Sequence, residues 1–140
     1  MTRDFTATTF VVTDARTLLL YHKKLKAWFP PGGHIHAGEL PCDAAVREVL
    51  EESGLEVELL CENSRLGEVE VLRQPECILL EDIEPGHQHI DLIYFARVVG
   101  GELRPSADES DGHRWCSLED LEDPEIHEDI RELGKKAISK

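Results

Sequence analysis

Glu48, Glu51 and Glu52 stand at i, i+3 and i+4 in a segment with helical spacing. At 100° per residue, with Glu48 at zero, Glu51 falls at roughly 300° and Glu52 at roughly 40°, while Val46, Val49 and Leu50 fall between roughly 100° and 200°. Three carboxylates thus share one face, and the opposite face is expected to be the core stripe. Like charges at these spacings repel by roughly a few tenths of a kcal/mol per pair, so an ordinary solvated helix more often interleaves Lys or Arg there. Hard divalent cations remove the repulsion, because Mg²⁺ and Mn²⁺ take carboxylate oxygens and water as ligands. Standing alone, this helix would be read as a solvated acidic face.

It does not stand alone. Trp28-Phe29-Pro30-Pro31-Gly32-Gly33 carries two prolines and two glycines, which implies a shaped loop whose glycines permit close approaches that a Cβ would forbid. The loop runs into the helix as Gly33, five residues, Glu39, seven residues, then Arg47-Glu48-Val49-Leu50-Glu51-Glu52-Ser53-Gly54-Leu55. This 23-residue stretch resembles the Nudix box of the Nudix hydrolase superfamily at every defining position. Seven fixed residue types at fixed spacing, each used at roughly 6% in ordinary proteins, would arise by chance with odds on the order of one in a million. The segments Trp28 to Gly32 and Glu109 to Trp115 also look like Nudix segments, so the resemblance extends over the whole chain.

The resemblance implies an α/β/α sandwich around a mixed β-sheet, with a central catalytic helix and a C-terminal helix. It also implies metal-dependent hydrolysis of the diphosphate linkage in a nucleoside diphosphate derivative. Phosphorus in such a linkage is shielded by anionic oxygens, so a catalyst needs metal ions that neutralise charge and lower the pKa of an attacking water. Mg²⁺ (or Mn²⁺) is the expected cofactor, with Glu48 and Glu52 the direct ligands by position, Glu51 beside them, and the Gly32 carbonyl a further donor. Arg47 is expected to orient Glu39 or Glu48 rather than to touch substrate. Gly33, Glu39 and Gly54 are the structural residues of the box. The general base is Glu48, Glu52, or a loop carboxylate outside the box, for which Glu109 matches by position, with Asp108 and Asp111 as neighbours.

His34 and His36 lie inside the glycine loop, and His36 stands where many members carry a glutamate. Both are expected to line a substrate pocket. His87 and His89, ahead of Asp91, form a second His-x-His spacing; in either pair the spacing puts both rings on one face of an extended segment, which admits a zinc pair as an alternative to a pocket or exposed-loop role. Lys23, Lys24 and Lys26 form a basic cluster just before the loop, and Lys23 is the residue expected to reach phosphate oxygens. Tyr21 and Trp28 are read as packing residues.

The markers of some branches are missing. ADP-ribose-type members carry a proline, and diadenosine-polyphosphate members a tyrosine, a little beyond the box, where this chain has Glu70, Val71 and Leu72. What remains is a small MutT-like enzyme acting on a nucleoside triphosphate or related nucleotide, or a member of unassigned specificity. The alternative from another class is a nucleotide-sensing regulatory domain without turnover, although such domains usually lose a box glutamate and none is lost here. A zinc-bound structural protein is a third reading.

Elements that could position these residues follow from pattern. Thr8 to Val12 and Leu18 to Tyr21 suggest a hairpin, and Val57 to Leu60, Leu66 to Leu72, Ile78 to Leu80 and His89 to Val99 suggest four further strands. Pro41 to Ser53 reads as a helix with proline in the first turn and Gly54 as its left-handed stop. Ser117 to Asp120 resembles a capping arrangement. Ile126, Ile130, Leu133 and Ala137 mark one face of a C-terminal helix.

At 140 residues a single domain, 1–140, is expected. Fifteen Lys plus Arg against 29 Asp plus Glu give a net charge of −14, which repels phosphate backbones and anionic lipid, so the expected partner is a small-molecule nucleotide, with no nucleic acid and no membrane. A homodimer is left open. Cys42, Cys61, Cys77 and Cys116 form no CxxC pair, and with no signal-peptide pattern the chain is expected to be complete and cytoplasmic, with free thiols.

Overall fold

The computed structural model describes residues 1–104 and 110–140, with the backbone alone at 110 and 111. The expected hairpin is β1 (Thr2–Thr13) and β2 (Arg16–His22), turning through Asp14 and Ala15, whose φ angles are +49° and +58°. The proline- and glycine-rich loop is partly extended, as β3 (Ala27–Phe29) and β4 (Gly32–His34), before α1 (Pro41–Ser53). Then come β5 (Leu55–Leu59), β6 (Ser64–Leu66), β7 (Val69–Val71), β8 (Cys77–Glu84), β9 (His87–Gly101), β10 (Ser110–Cys116), a short 3-10 turn (Asp120–Glu122) and α2 (Glu128–Ile138). The single strand expected over Leu66 to Leu72 is instead the two-stranded β6–β7 ribbon, because Gly67 turns the chain at φ +62°. β10 had no sequence signature, since its residues before Trp115 are polar.

The main sheet has eight strands, ordered β10-β2-β1-β9-β5, with β3 added on β2, β4 on β1 and β8 on β9. It is mixed: β1 runs parallel to β9 from Thr2↔His87 to Val12↔Arg97, while the other pairings are antiparallel. Strand alternation gives the sheet two buried faces. Ala7, Val11, Leu18, Leu20, Tyr94 and Ala96 pack in the core shared with α1. Phe10, Leu19, Ile93 and Phe95 pack with Leu121, Ile126, Ile130 and Ala137 on the α2 side, where the Phe10 and Phe95 rings meet edge to face at 6.0 Å. This is the α/β/α sandwich expected from the sequence.

α1 begins with Pro41 in its first turn and ends at Gly54, φ +79°, whose N–H donates to the Leu50 carbonyl at 2.8 Å. A Cβ at Gly54 would lie 2.3 Å from the Glu102 carbonyl oxygen, so crowding as well as the left-handed φ selects glycine there. The buried residues of the helix are Ala44, Ala45, Val49 and Ser53; of the expected stripe Val49 is buried, Val46 packs half-buried against the same core, and Leu50 does not join it. Two alanines let the helix lie close to the sheet, and Leu50, 48% exposed, is turned away from it. α2 starts at Glu128, and Ile126 enters the core just ahead of it. Ser117 and Asp120 cap reciprocally, as their spacing predicts: Asp120 Oδ2 accepts from the Ser117 N–H at 3.0 Å and Ser117 Oγ from the Asp120 N–H at 3.2 Å. The four cysteines are free. Among the described residues, no helix is long and apolar enough to cross a membrane.

Candidate functional site

Thr8↔Gly32 and Ala7↔Gly33 are paired in the β1–β4 register, which fixes the glycine loop against the sheet at the flank of α1. A Cβ on Gly33 would sit 2.6 Å from the Glu48 carboxylate, so the glycine is the space into which that carboxylate fits. The Gly32 N–H donates to Glu52 Oε1 at 3.1 Å, which aims the second box carboxylate at the same loop. Glu48 and Glu52, one turn apart on α1, both line a cavity of about 820 Å³.

Arg47 ties this arrangement together. Its Nε and Nη2 donate to the two oxygens of Glu39 at 2.8 and 3.0 Å, Nη1 donates to Glu48 at 2.9 Å and to Glu51 at 3.0 Å, and Nη2 also reaches the His34 carbonyl at 3.0 Å. Glu39 also accepts the His36 N–H at 3.0 Å. The guanidinium beside it, helped by that amide, holds the Glu39 carboxyl down at about 2. Arg47 therefore orients both Glu39 and Glu48. Glu51 does not line the cavity; its side chain is 56% exposed and is held on the outer side by Arg47.

The lining contains further acids that sequence spacing did not single out. Among the described residues six acids line the cavity: Glu48, Glu52, Glu81, Asp82, Asp91 and Asp129. Among the described lining residues there is no Lys or Arg. Asp91 is buried on β9 and accepts from the hydroxyls of Thr6 at 2.9 Å and Thr8 at 2.8 Å across the parallel β1–β9 pairing. Glu81, on β8, is desolvated and hydrogen-bonded to Asp91, and burial together with that second carboxylate pushes it up to about 8. Alternation of His87, His89 and Asp91 along one strand was the available signal for Asp91. Glu81 had none, because only the register Glu81↔His89 brings it to this face.

That raised value has a consequence for stability in the metal-free protein. Between the ordinary 4.5 and about 8, folded Glu81 keeps a proton that the unfolded chain gives up. Folding stability contributed by this group is thus lost as pH rises through that window. Glu81→Gln, which keeps the shape and can still hydrogen-bond Asp91, is expected to flatten the fall in Tm between about pH 5 and about pH 8.5 and to melt above the wild type at the upper end. Parallel Tm–pH curves for the two proteins would show that Glu81 ionises normally.

The cavity lining also includes apolar residues, Leu20, Leu25, Phe29, Ile83, Ile130 and Leu133 among them, with His127 edge to face against Phe29 at 5.5 Å. His34 and His36 are exposed and line the cavity. Lys23 is exposed in the turn between β2 and β3 and does not line it. Tyr21 and Trp28 pack edge to face at 5.1 Å, with Arg114 over the indole at 5.4 Å, outside the cavity. Glu109 and Asp108 lie outside the described residues, as does the side chain of Asp111.

The donor set fits hard divalent cations. Carboxylates from two turns of one helix and from two adjacent strands line the same cavity, with no Lys or Arg among the described lining residues, and carboxylate oxygens are the donors that Mg²⁺ or Mn²⁺ take.

The sequence matches the NUDIX domain family over residues 3–136. It is 31% identical over 108 residues to a Bacillus subtilis (strain 168) protein named, provisionally, as an 8-oxo-dGTP diphosphatase; the match covers 76% of this chain and spans 62% of that protein's length. The fold resembles the crystal structure of a NUDIX-family hydrolase from Clostridium perfringens with a TM-score of 0.86 at 36% identity, covering 99% of this chain and 98% of the other. A MutT NUDIX hydrolase from Burkholderia pseudomallei shares the fold with a TM-score of 0.74 at 23% identity, over 99% and 98% of the two chains.

Proposed function

The chain belongs to the NUDIX family, and on that premise we propose that it is a metal-dependent pyrophosphohydrolase of a nucleoside diphosphate derivative, with a nucleoside triphosphate the leading substrate class. The observation that carries this reading is the mixed lining of the cavity, in which the described residues include Glu48 and Glu52 with four further acids, no Lys or Arg, and apolar side chains such as Phe29, Ile130 and Leu133. Four or so negative charges on a triphosphate cannot enter such an acidic space without cations. Mg²⁺ or Mn²⁺ held by Glu48 and Glu52, with the Gly32 carbonyl a further donor, would neutralise the phosphates and lower the pKa of an attacking water.

The chain's own residues supply the positioning. Gly33 leaves room for Glu48, the Gly32 N–H fixes Glu52, and Arg47 locks the helix to the loop that carries both glycines. Glu48 or Glu52 is proposed to take the proton from water, with Glu109 the proposed loop alternative. The ring pair of Phe29 and His127 and the apolar side chains in the lining suit a nucleobase, and about 820 Å³ is within the range of cavities that hold ligands of nucleotide size. A net charge of −14 supports a free nucleotide rather than a nucleic acid as the partner.

The test is a panel of ordinary and oxidised nucleoside triphosphates, nucleotide sugars and dinucleotides assayed with Mg²⁺ and with Mn²⁺. The Bacillus subtilis relative's name places 8-oxo-dGTP first in that panel. Metal-dependent release of phosphate or pyrophosphate from at least one member is expected. Tight binding of a nucleotide with no turnover under any condition would replace the enzyme with a nucleotide-sensing domain.

A further inference from the structure

The His-x-His of β9 does not belong to the box carboxylates, yet the structure gives it company. Across the parallel β1–β9 pairing, Thr2 lies opposite His87 and Asp4 opposite His89, and on the other side of β1 Thr6 lies opposite His34 of β4. Alternation sends Asp4, His87 and His89 to one face of the sheet, where one ligand atom from each lies within 4.8 Å of the others, all three residues being partly buried. Among the described residues this is the tight grouping of metal-ligating side chains, and it is separate from Glu48 and Glu52.

Two geometric details distinguish the cluster from a set of surface ion pairs. Asp4 Oδ2 lies 3.3 Å from His87 Nε2 and also 3.3 Å from His34 Nε2. Charge-assisted N–H···O contacts close to about 2.7–2.9 Å, so these are long for hydrogen bonds. They equal the ligand–ligand edge, about 3.3 Å, of a tetrahedron with metal–ligand bonds of about 2.0–2.1 Å. In addition, His87 Nδ1 is 2.8 Å from Thr2 Oγ1, a partner that fixes the ring and leaves Nε2 facing Asp4. His89 stands edge to face with both other rings, at 5.2 Å from His87 and 5.0 Å from His34. Asp91, the next acid along β9, is already satisfied by Thr6 and Thr8 and is not part of the group.

We propose that Asp4, His87 and His89 form a binding site for a borderline transition-metal ion, Zn²⁺ first, at the rim of the cavity, with the exposed His34, which reaches Asp4 but stands outside the three-residue grouping, turning in as the fourth donor. Three imidazoles and one carboxylate suit Zn²⁺, whereas Mg²⁺ prefers an all-oxygen octahedron, so the two sites are chemically distinct. The site goes beyond the hydrolase reading and does not depend on it. His34 and His89 also line the cavity, which puts the ion where a bound nucleotide would pass.

The test uses the full chain, stripped of metal and then dialysed against Zn²⁺ or Co²⁺ in excess Mg²⁺, which fills oxygen sites. One retained equivalent of Zn²⁺ is expected, and for Co²⁺ the intense visible absorption of a tetrahedral nitrogen-ligated ion. The double variant His87→Gln/His89→Gln should weaken Zn²⁺ binding by at least on the order of 10²-fold, and Thr2→Val by roughly 10-fold, as partners that orient metal ligands do. Glu52→Gln should leave both signals in place. Asp4→Asn is the second variant should the double variant fold poorly, with the same loss expected. The proposal is overturned if no equivalent is retained, if the cobalt spectrum is the weak one of an octahedral oxygen site, or if binding survives in Asp4→Asn and the double variant but disappears in Glu52→Gln.

Discussion

Glu52→Gln is expected to lower kcat by on the order of 10²-fold or more while the chain folds and melts as the wild type does. The amide oxygen can still accept the Gly32 N–H that Glu52 Oε1 accepts at 3.1 Å, so the loop keeps its anchor. What is lost is one negative charge among the six acids that line the cavity in the described residues, and an amide is a poor ligand for a hard cation. Removing one member of a repelling set also predicts a Tm that holds or rises in metal-free buffer. Activity of the wild type should correspondingly fall to background when divalent cations are chelated, and return on adding Mg²⁺ or Mn²⁺. Near-wild-type turnover in Glu52→Gln, with a normal melt, would move the chemistry to the Asp91 and Glu81 end of the cavity. Turnover that persists in excess EDTA after stripping would remove metal from the mechanism altogether.

Much of this site was legible in the sequence because its parts are local. Glu48 and Glu52 meet on α1 by helix periodicity alone, Gly33 and Glu39 lie within the same continuous stretch, and Gly54 ends the helix where its left-handed φ requires it. Pro41, Gly54 and the Ser117–Asp120 cap were readable for the same reason. Features set by strand register were not. Glu81 reaches the cavity because β8 pairs with β9 so that Glu81 lies opposite His89, a contact that hydropathy along either strand does not encode. Asp4 meets His87 and His89 across more than eighty residues of chain through the parallel β1–β9 pairing. Which apolar residues of α1 face the core was misread for a related reason. Helical periodicity located a face, but the small Ala44 and Ala45 decide how closely the sheet is approached, and that rotates the buried stripe away from Leu50. Glu51 shares the helix face of Glu48, and Arg47 nevertheless draws it outward.

Arg47→Lys is expected to lower kcat by roughly 10- to 10²-fold and to raise the Mg²⁺ concentration needed for half-maximal activity, with little rescue relative to Arg47→Ala. Five donor contacts leave one planar guanidinium toward Glu39 (two), Glu48, Glu51 and the His34 carbonyl. An ammonium presents its donors from a single point and cannot span the Glu39 fork and the Glu48 carboxylate together. The side chain is 22% exposed, so the loss of stability is screened and should be modest, about 1–2 kcal/mol. The effect on turnover is expected to be larger than that, because a freed Glu48 no longer points reliably into the space that Gly33 leaves for it. Arg47 is thus a positioning residue, and the metal dependence is the readout that separates this from simple support of the fold. Glu51→Gln provides the contrast: it removes the outermost contact of the same guanidinium and should change kcat and the Mg²⁺ requirement by less than about threefold. If Arg47→Lys melts lower yet keeps wild-type kcat and Mg²⁺ dependence, Arg47 holds the loop to the helix without aiming the carboxylate, and the orientation of Glu48 comes from its other surroundings, the space at Gly33 included.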